Sequence, residues 1–126
     1  MLAMLRRKGR ILLLDDDSAM QRLVSTLLRR AGYRIDVVSS GSQAIDHLGR
    51  HDYAALLLDV MTPTEGGLTV IRHLKTANPA LLQRVLLVTG SPDSILRGVT
   101  SDVHGVVHKP FRAEELLAAI EEVTGK

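Results

Sequence analysis

Leu56-Leu57-Leu58-Asp59, followed by Val60-Met61-Thr62-Pro63-Thr64-Glu65-Gly66-Gly67, is an aliphatic run that stops on a single acid and opens into a breaker-rich loop. A strand covered on both faces needs an uninterrupted apolar run, and a Pro/Gly loop behind it brings the last side chain to the rim of a sheet. The stretch therefore predicts a buried parallel strand with the Asp59 carboxylate at its carboxyl end.

The same grammar recurs on both sides. Ile11-Leu12-Leu13-Leu14 runs into Asp15-Asp16-Asp17, and Ser18 opens a helix whose stripe is Met20, Leu23, Val24, Leu27, Leu28 and Ala31, with Gln21, Arg22, Arg29 and Arg30 facing out. Asp17 suits the amino-terminal cap of that helix and Gly32 its carboxyl end. Tyr33 to Val38 reads as a more exposed strand, and Ala44, Ile45 and Leu48 mark a short second helix. Leu68, Val70, Ile71 and Leu74 mark a third, stopped by Asn78-Pro79. Val85 to Val88 is a fourth strand ending at Thr89-Gly90, and Val106-Val107 a fifth ending at His108-Lys109-Pro110. Between them, Pro92-Asp93 looks like a helix start, but Val99, Thr100 and Ser101 keep that helix short. Leu116, Leu117, Ile120 and Val123 form the stripe of a last helix. Strands alternating with helices predict one α/β domain, a doubly wound (βα)5 unit with a five-stranded parallel sheet covered on both faces.

Composition narrows the function classes. The 126 residues suit one domain, 45% apolar and 24% charged, with an aliphatic core because Tyr33, Tyr53 and Phe111 are the whole aromatic set. The absence of Cys excludes disulfides, thiolate metal sites and a Cys nucleophile. No apolar run reaches the ~20 residues that span a bilayer, so no membrane association and a cytoplasmic location are expected. A net charge of +2 raises the question of nucleic acid, but the basic residues are dispersed apart from a tail over residues 1–9 and the Arg29-Arg30-Arg34 group. No recognition helix or aromatic platform is visible, so no direct nucleic-acid binding is expected. His47, His51, His73, His104 and His108 read as surface residues without ligand spacing.

Ligands of doubly wound sheets gather at the carboxyl ends of the strands. Those ends carry Asp15 and Asp16 from the first strand, Asp59 from the third, Thr89 from the fourth and Lys109 from the fifth. Clustered carboxylates repel unless a cation sits among them, and all-oxygen ligands favour Mg²⁺ (or Mn²⁺). A metal, a lysine and a threonine around one accessible acid are the parts needed for phosphoryl transfer. Gly90 leaves room for an approaching phosphoryl group.

At these residues the chain resembles the receiver domain of two-component response regulators (CheY-like), from about Arg10 to Thr124. The Asp pair after strand one, the strand-three Asp with Pro63 four residues on, the strand-four Thr before a small residue, and Lys109-Pro110-Phe111 match in order and spacing. The resemblance implies residues 10–126 as the receiver, with the flavodoxin-like strand order 2-1-3-4-5. It implies Asp59 as phosphoacceptor, with Asp16, Asp59 and the Met61 carbonyl on the metal and Asp15 acting through water. Thr89 and Lys109 would hold phosphoryl oxygens, and the Lys109-Pro110 bond would be cis. Implied partners are a bacterial histidine kinase or phosphotransfer protein and a downstream protein or output domain, the chain being a monomer or a phosphorylation-linked dimer. The role is a switch, not a conventional enzyme, although it would catalyse its own phosphorylation and dephosphorylation.

The chain departs from the family pattern where an aromatic usually precedes the Lys by three positions; here it is Val106. The segment from Thr89 to Lys109 is also shorter than is typical. The competing reading is therefore a receiver-fold interaction module with atypical or phosphorylation-independent output. A phosphatase of the haloacid-dehalogenase type would use Asp15-x-Asp17, but the length leaves little room for a substrate cap. A DNA-binding role would need an output domain beyond Lys126, so the expectation is a stand-alone receiver or one excised from a longer regulator or hybrid kinase.

Overall fold

Three strands lie at the centre because their side chains leave no polar face to wet. Ile11 to Leu14 and Leu56 to Leu58 are at most 1% exposed, and Val85 to Val88 at most 2%. In the computed structural model, which describes residues 8–60, 66–90 and 96–125, they form β1 (Arg10–Leu14), β3 (Ala55–Leu58) and β4 (Val85–Thr89) of one sheet. β2 (Arg34–Val38) and β5 (Gly105–His108) are its edges, in the order β2-β1-β3-β4-β5, all parallel. Leu13 pairs with Leu57, Leu57 with Leu86, and Leu86 with Gly105.

Because side chains alternate along a strand, each central strand feeds two cores. Leu12, Leu14, Leu56, Leu58 and Leu87 pack with Ala44 of α2 (Gly41–Leu48) and Val70, Ile71 and Leu74 of α3 (Gly67–Ala77). Ile11, Leu13, Leu57, Leu86 and Val88 pack with Val24 and Leu28 of α1 (Ser18–Arg30) and Leu116 and Ile120 of α4 (Ala113–Thr124). The doubly wound sheet and the strand order agree with the sequence reading. A 3-10 helix, Pro79–Arg84, leads into β4 and was not anticipated.

Two details of α1 correct that reading. Leu23, placed in the apolar stripe, is 48% exposed, and Ser25 is buried instead. Gln21, expected to face out, donates through Nε2 to the Asp15 carbonyl and to Ser39 Oγ at 3.2 Å. The stripe is thus rotated toward β2, so that a glutamine holds the turn after β1. Asp17 does cap the helix, its Oδ1 accepting from the Ala19 and Met20 N–H groups. Ala31 is the carboxyl cap, followed by Gly32 at φ +101°. Between β4 and β5, Leu96 is the one helical residue among those described and 97–102 are turns; the Pro92-Asp93 helix start lies outside the described residues. Among the described residues no helix is long and apolar enough to cross a membrane.

At the foot of the sheet Arg10 binds Asp36 with Nη1 at 3.2 and 3.1 Å from its two oxygens, and Tyr53 donates to Asp36 Oδ2 at 2.7 Å. Burial pushes the Asp36 carboxyl up, but the Tyr53 hydrogen bond and the hydrogen bond and charge of Arg10 outweigh it and hold the group below its ordinary 3.8. A lowered carboxyl contributes stability above the ordinary value and loses it as pH falls through the folded one. Asp36→Asn should therefore cost about 1 kcal/mol at neutral pH, with the side chains about a quarter exposed. That gap should close below pH 3.8. Urea unfolding along a pH series checks this; a gap that persists in acid rules the ion pair out as its source.

Candidate phosphoryl-transfer site

Backbone pairing continues past the strand ends and sets the site. Asp15 N–H donates to Val38 O at 3.2 Å and Asp59 N–H to Leu14 O at 2.9 Å, so the two acids stand side by side. Lys109 N–H donates to Thr89 O at 2.9 Å, extending the β4–β5 ladder until the lysine overhangs the same edge. The Lys109–Pro110 peptide bond is cis. Gly67 N–H donates to Asp59 O at 2.8 Å. A Cβ on Gly67 would meet that oxygen at 3.0 Å and Leu58 Cβ at 3.1 Å, so glycine allows α3 to start directly against the Asp59 backbone.

The side chains converge. Lys109 Nζ lies 2.8 Å from Asp15 Oδ2 and 3.2 Å from Asp59 Oδ2. The other Asp15 oxygen, Oδ1, accepts from Asp17 N–H at 2.9 Å. Asp15 is 1% exposed and Asp59 8%, whereas Asp16 is open to solvent. One carboxylate oxygen from each of the three acids lies within 4.8 Å of the others, the single such cluster among the described residues. Three carboxylates against one ammonium leave an excess of negative charge that a hard divalent cation would balance. The donor set, all oxygen and partly open, fits Mg²⁺.

Burial pulls the Lys109 ammonium down, but the hydrogen bond to Asp15 and the charges of Asp59 and Asp15 more than reverse this, so its pKa is raised. The lysine is charged at any ordinary pH. Thr89 is fully buried at the end of β4, in register with His108 beside Lys109. A Cβ on Gly90 would touch only Lys109 Cβ, at 4.0 Å, so packing within the chain does not itself demand glycine there. Val106 is half-buried and packs against the α2–α3 core. Met61, the expected carbonyl ligand, and Pro63 lie outside the described residues. Sequence reading missed Gln21 as a support of the Asp15 turn, because an apolar stripe gives no sign that its polar neighbour folds back.

Residues 11–121 match the model of the response regulator receiver domain. The chain belongs to that family. This receiver domain is 35% identical to the transcriptional regulatory protein HprR of Escherichia coli (strain K12) over 113 residues, 88% of this chain and 49% of that protein. Among solved structures it resembles the receiver domain of the sensor histidine kinase PA1611 from Pseudomonas aeruginosa PAO1, which has a magnesium ion coordinated in its active site cleft (TM-score 0.80, 25% identity, covering 94% of this chain and 99% of that one). It also resembles a CheY-like response regulator receiver domain protein from Methanospirillum hungatei JF-1 (TM-score 0.77, 31% identity, covering 94% and 96%). The chain spans about half the length of the curated relatives it matches. Receiver domains are signalling phosphoacceptors and are not generally classed as enzymes.

Proposed function

We propose that this receiver domain is switched by transfer of a phosphoryl group to Asp59. An Asp59 carboxylate oxygen attacks phosphorus, forming a P–O bond as the bond to the donor breaks. The leaving imidazole of a phosphohistidine, or the carboxylate of an acyl phosphate, departs with the electron pair. The observation that carries this reading is the placement of Asp59 at a strand end, slightly exposed, with Lys109 Nζ at 3.2 Å and two further acids close by. Lys109 would move with its charge onto phosphoryl oxygens, and Thr89, at the end of the neighbouring strand, would donate a hydrogen bond to one of them. Asp16 and Asp59, with the Met61 carbonyl, would hold Mg²⁺ or Mn²⁺, and Asp15 would act through water, since both its oxygens already have protein partners. The cation, when bound, supplies positive charge to the transferring phosphoryl oxygens.

The partners consistent with this chemistry are a histidine kinase or phosphotransfer protein upstream and a downstream protein or output domain. The chain would act in the cytoplasm, as residues 10–126 behind a basic tail, monomeric or dimerising on phosphorylation. It would accelerate its own phosphorylation and dephosphorylation. Val106 favours an altered readout: a β-branched side chain packed in a core cannot make the large swing of an aromatic.

The test is intact mass after incubation with Mg²⁺ and acetyl phosphate, beside Asp59→Asn. Gain of one phosphoryl group by the wild type alone is expected. No gain would leave the receiver fold serving binding alone, and equal gain by the variant would place the phosphoryl group on another residue.

A further inference from the structure

The amino-terminal edge of the sheet, opposite the acids, carries a second set of possible ligands. α2 starts beside the carboxyl ends of the strands and runs back to their amino-terminal side, ending at Leu48. A hydrogen-bonded turn follows it: His51 N–H donates to His47 O at 3.1 Å, an i to i+4 bond. The two histidines thus stand one turn apart on one surface, their ring centroids 6.4 Å apart and 44° inclined. The sequence reading took the five histidines as surface residues without ligand spacing, and it is the turn after α2 that brings these two together.

We propose that His47 and His51 bind a late first-row divalent ion such as Zn²⁺, Ni²⁺ or Cu²⁺. Two histidines at i and i+4 on one helical face are a recurring chelating pair. His47 Nδ1 lies 2.9 Å from the Gln43 carbonyl oxygen, and because a carbonyl only accepts, Nδ1 carries the proton. The lone pair is thereby left on Nε2, the backbone-anchored arrangement that orients imidazole ligands. His51 is exposed, so a modest turn of its ring brings both nitrogens to the bond length of about 2.0–2.1 Å that zinc requires. A cation here also meets the negative end of the α2 dipole. Among the described residues no third His or acid completes a cluster at this place, so water fills the remaining positions. His51 also lines a cavity of about 230 Å³ with Asp52 and Asn78, which gives that water room. Imidazole discriminates against Mg²⁺, so an excess of Mg²⁺ fills the acid site and leaves the histidine pair to the late metal.

The experiment is calorimetric titration of the untagged protein with Ni²⁺ or Zn²⁺ in excess Mg²⁺, comparing wild type with His47→Ala, His51→Ala, His73→Ala and Asp16→Asn. The expected result is one ion per chain, with affinity weakened at least about tenfold by each of the first two substitutions. The last two variants should bind as wild type. Both helix-end substitutions lie at the surface, and circular dichroism confirms their folding. Absence of binding, affinity unchanged in His47→Ala and His51→Ala, or loss confined to Asp16→Asn would each overturn the proposal.

Discussion

Replacing Lys109 with methionine is expected to cost the metal-free protein about 3 kcal/mol of unfolding free energy, most of it recovered on adding Mg²⁺. The ammonium sits 2.8 Å from the Asp15 carboxylate and 3.2 Å from that of Asp59, whose side chains are 1% and 11% exposed. Removing one partner of a buried pair leaves an uncompensated charge, a loss of about 3–5 kcal/mol; the 20% exposure of the Lys109 side chain places this case at the low end. An added cation would take over the neutralising role, and a ligand at a hundred times its dissociation constant contributes about 2.7 kcal/mol. Wild type, already partly balanced, should gain less from Mg²⁺ than the variant does. The pH dependence carries a matching sign. A lysine with a raised pKa contributes stability below its ordinary 10.5 and loses it as pH rises through the folded value. Wild type should therefore converge on Lys109→Met in strong alkali. Urea unfolding with and without Mg²⁺ decides the matter, and a loss under about 1 kcal/mol would mean that the ammonium is not what holds these acids together.

The second large effect is in the core. Leu57→Ala is expected to destabilise the domain by about 3–5 kcal/mol, while Leu23→Ala changes it by about 0.5 kcal/mol or less. Leu57 is fully buried at the centre of β3, bracketed by Leu13 and Leu86 on the neighbouring strands and covered by α1 and α4. None of these can collapse into the space left, because each is itself fixed in the sheet or in a helix packed upon it. Leu23 is nearly half exposed. With a total stability of about 5–15 kcal/mol for a domain, the first substitution removes a large share and the second hardly registers. Denaturation midpoints at unchanged slope measure both, and a Leu57→Ala loss under about 2 kcal/mol would mean that this layer is loosely packed.

What was legible in the sequence follows from what each signal encodes. Continuous aliphatic runs report burial on two faces, which is why β1, β3 and β4 were readable to within a residue. Acids at the ends of those runs then had to meet, and Asp15, Asp16 and Asp59 do. Periodicity reports less well on helices. Leu23 satisfied the spacing of the α1 stripe yet lies outside, because the angular edge of a stripe is set by the partner surface and not by the helix. Interactions between distant polar residues left no trace: nothing local announces that Arg10 and Tyr53 will both bond to Asp36, or that Gln21 will fold onto the turn after β1. The His47 and His51 pair was hidden for a third reason. The pair is formed by a hydrogen-bonded turn after the end of α2, beyond the Ala44, Ile45 and Leu48 stripe that marked the helix.

The lysine that closes the acid cluster comes late in the chain. Lys109 bonds to Asp15 across 94 positions and to Asp59 across 50. Contacts between such distant residues carry the entropy cost of closing long loops, so they exist only where β5 is docked beside β4. A chain with β1 to β4 assembled already presents its acids at one edge, but they repel without relief until β5 docks. The balanced site is therefore a readout of complete assembly. A molecule cut before Lys109, or one whose short last strand has peeled away, keeps every acid and loses the charge that allows them to stand together.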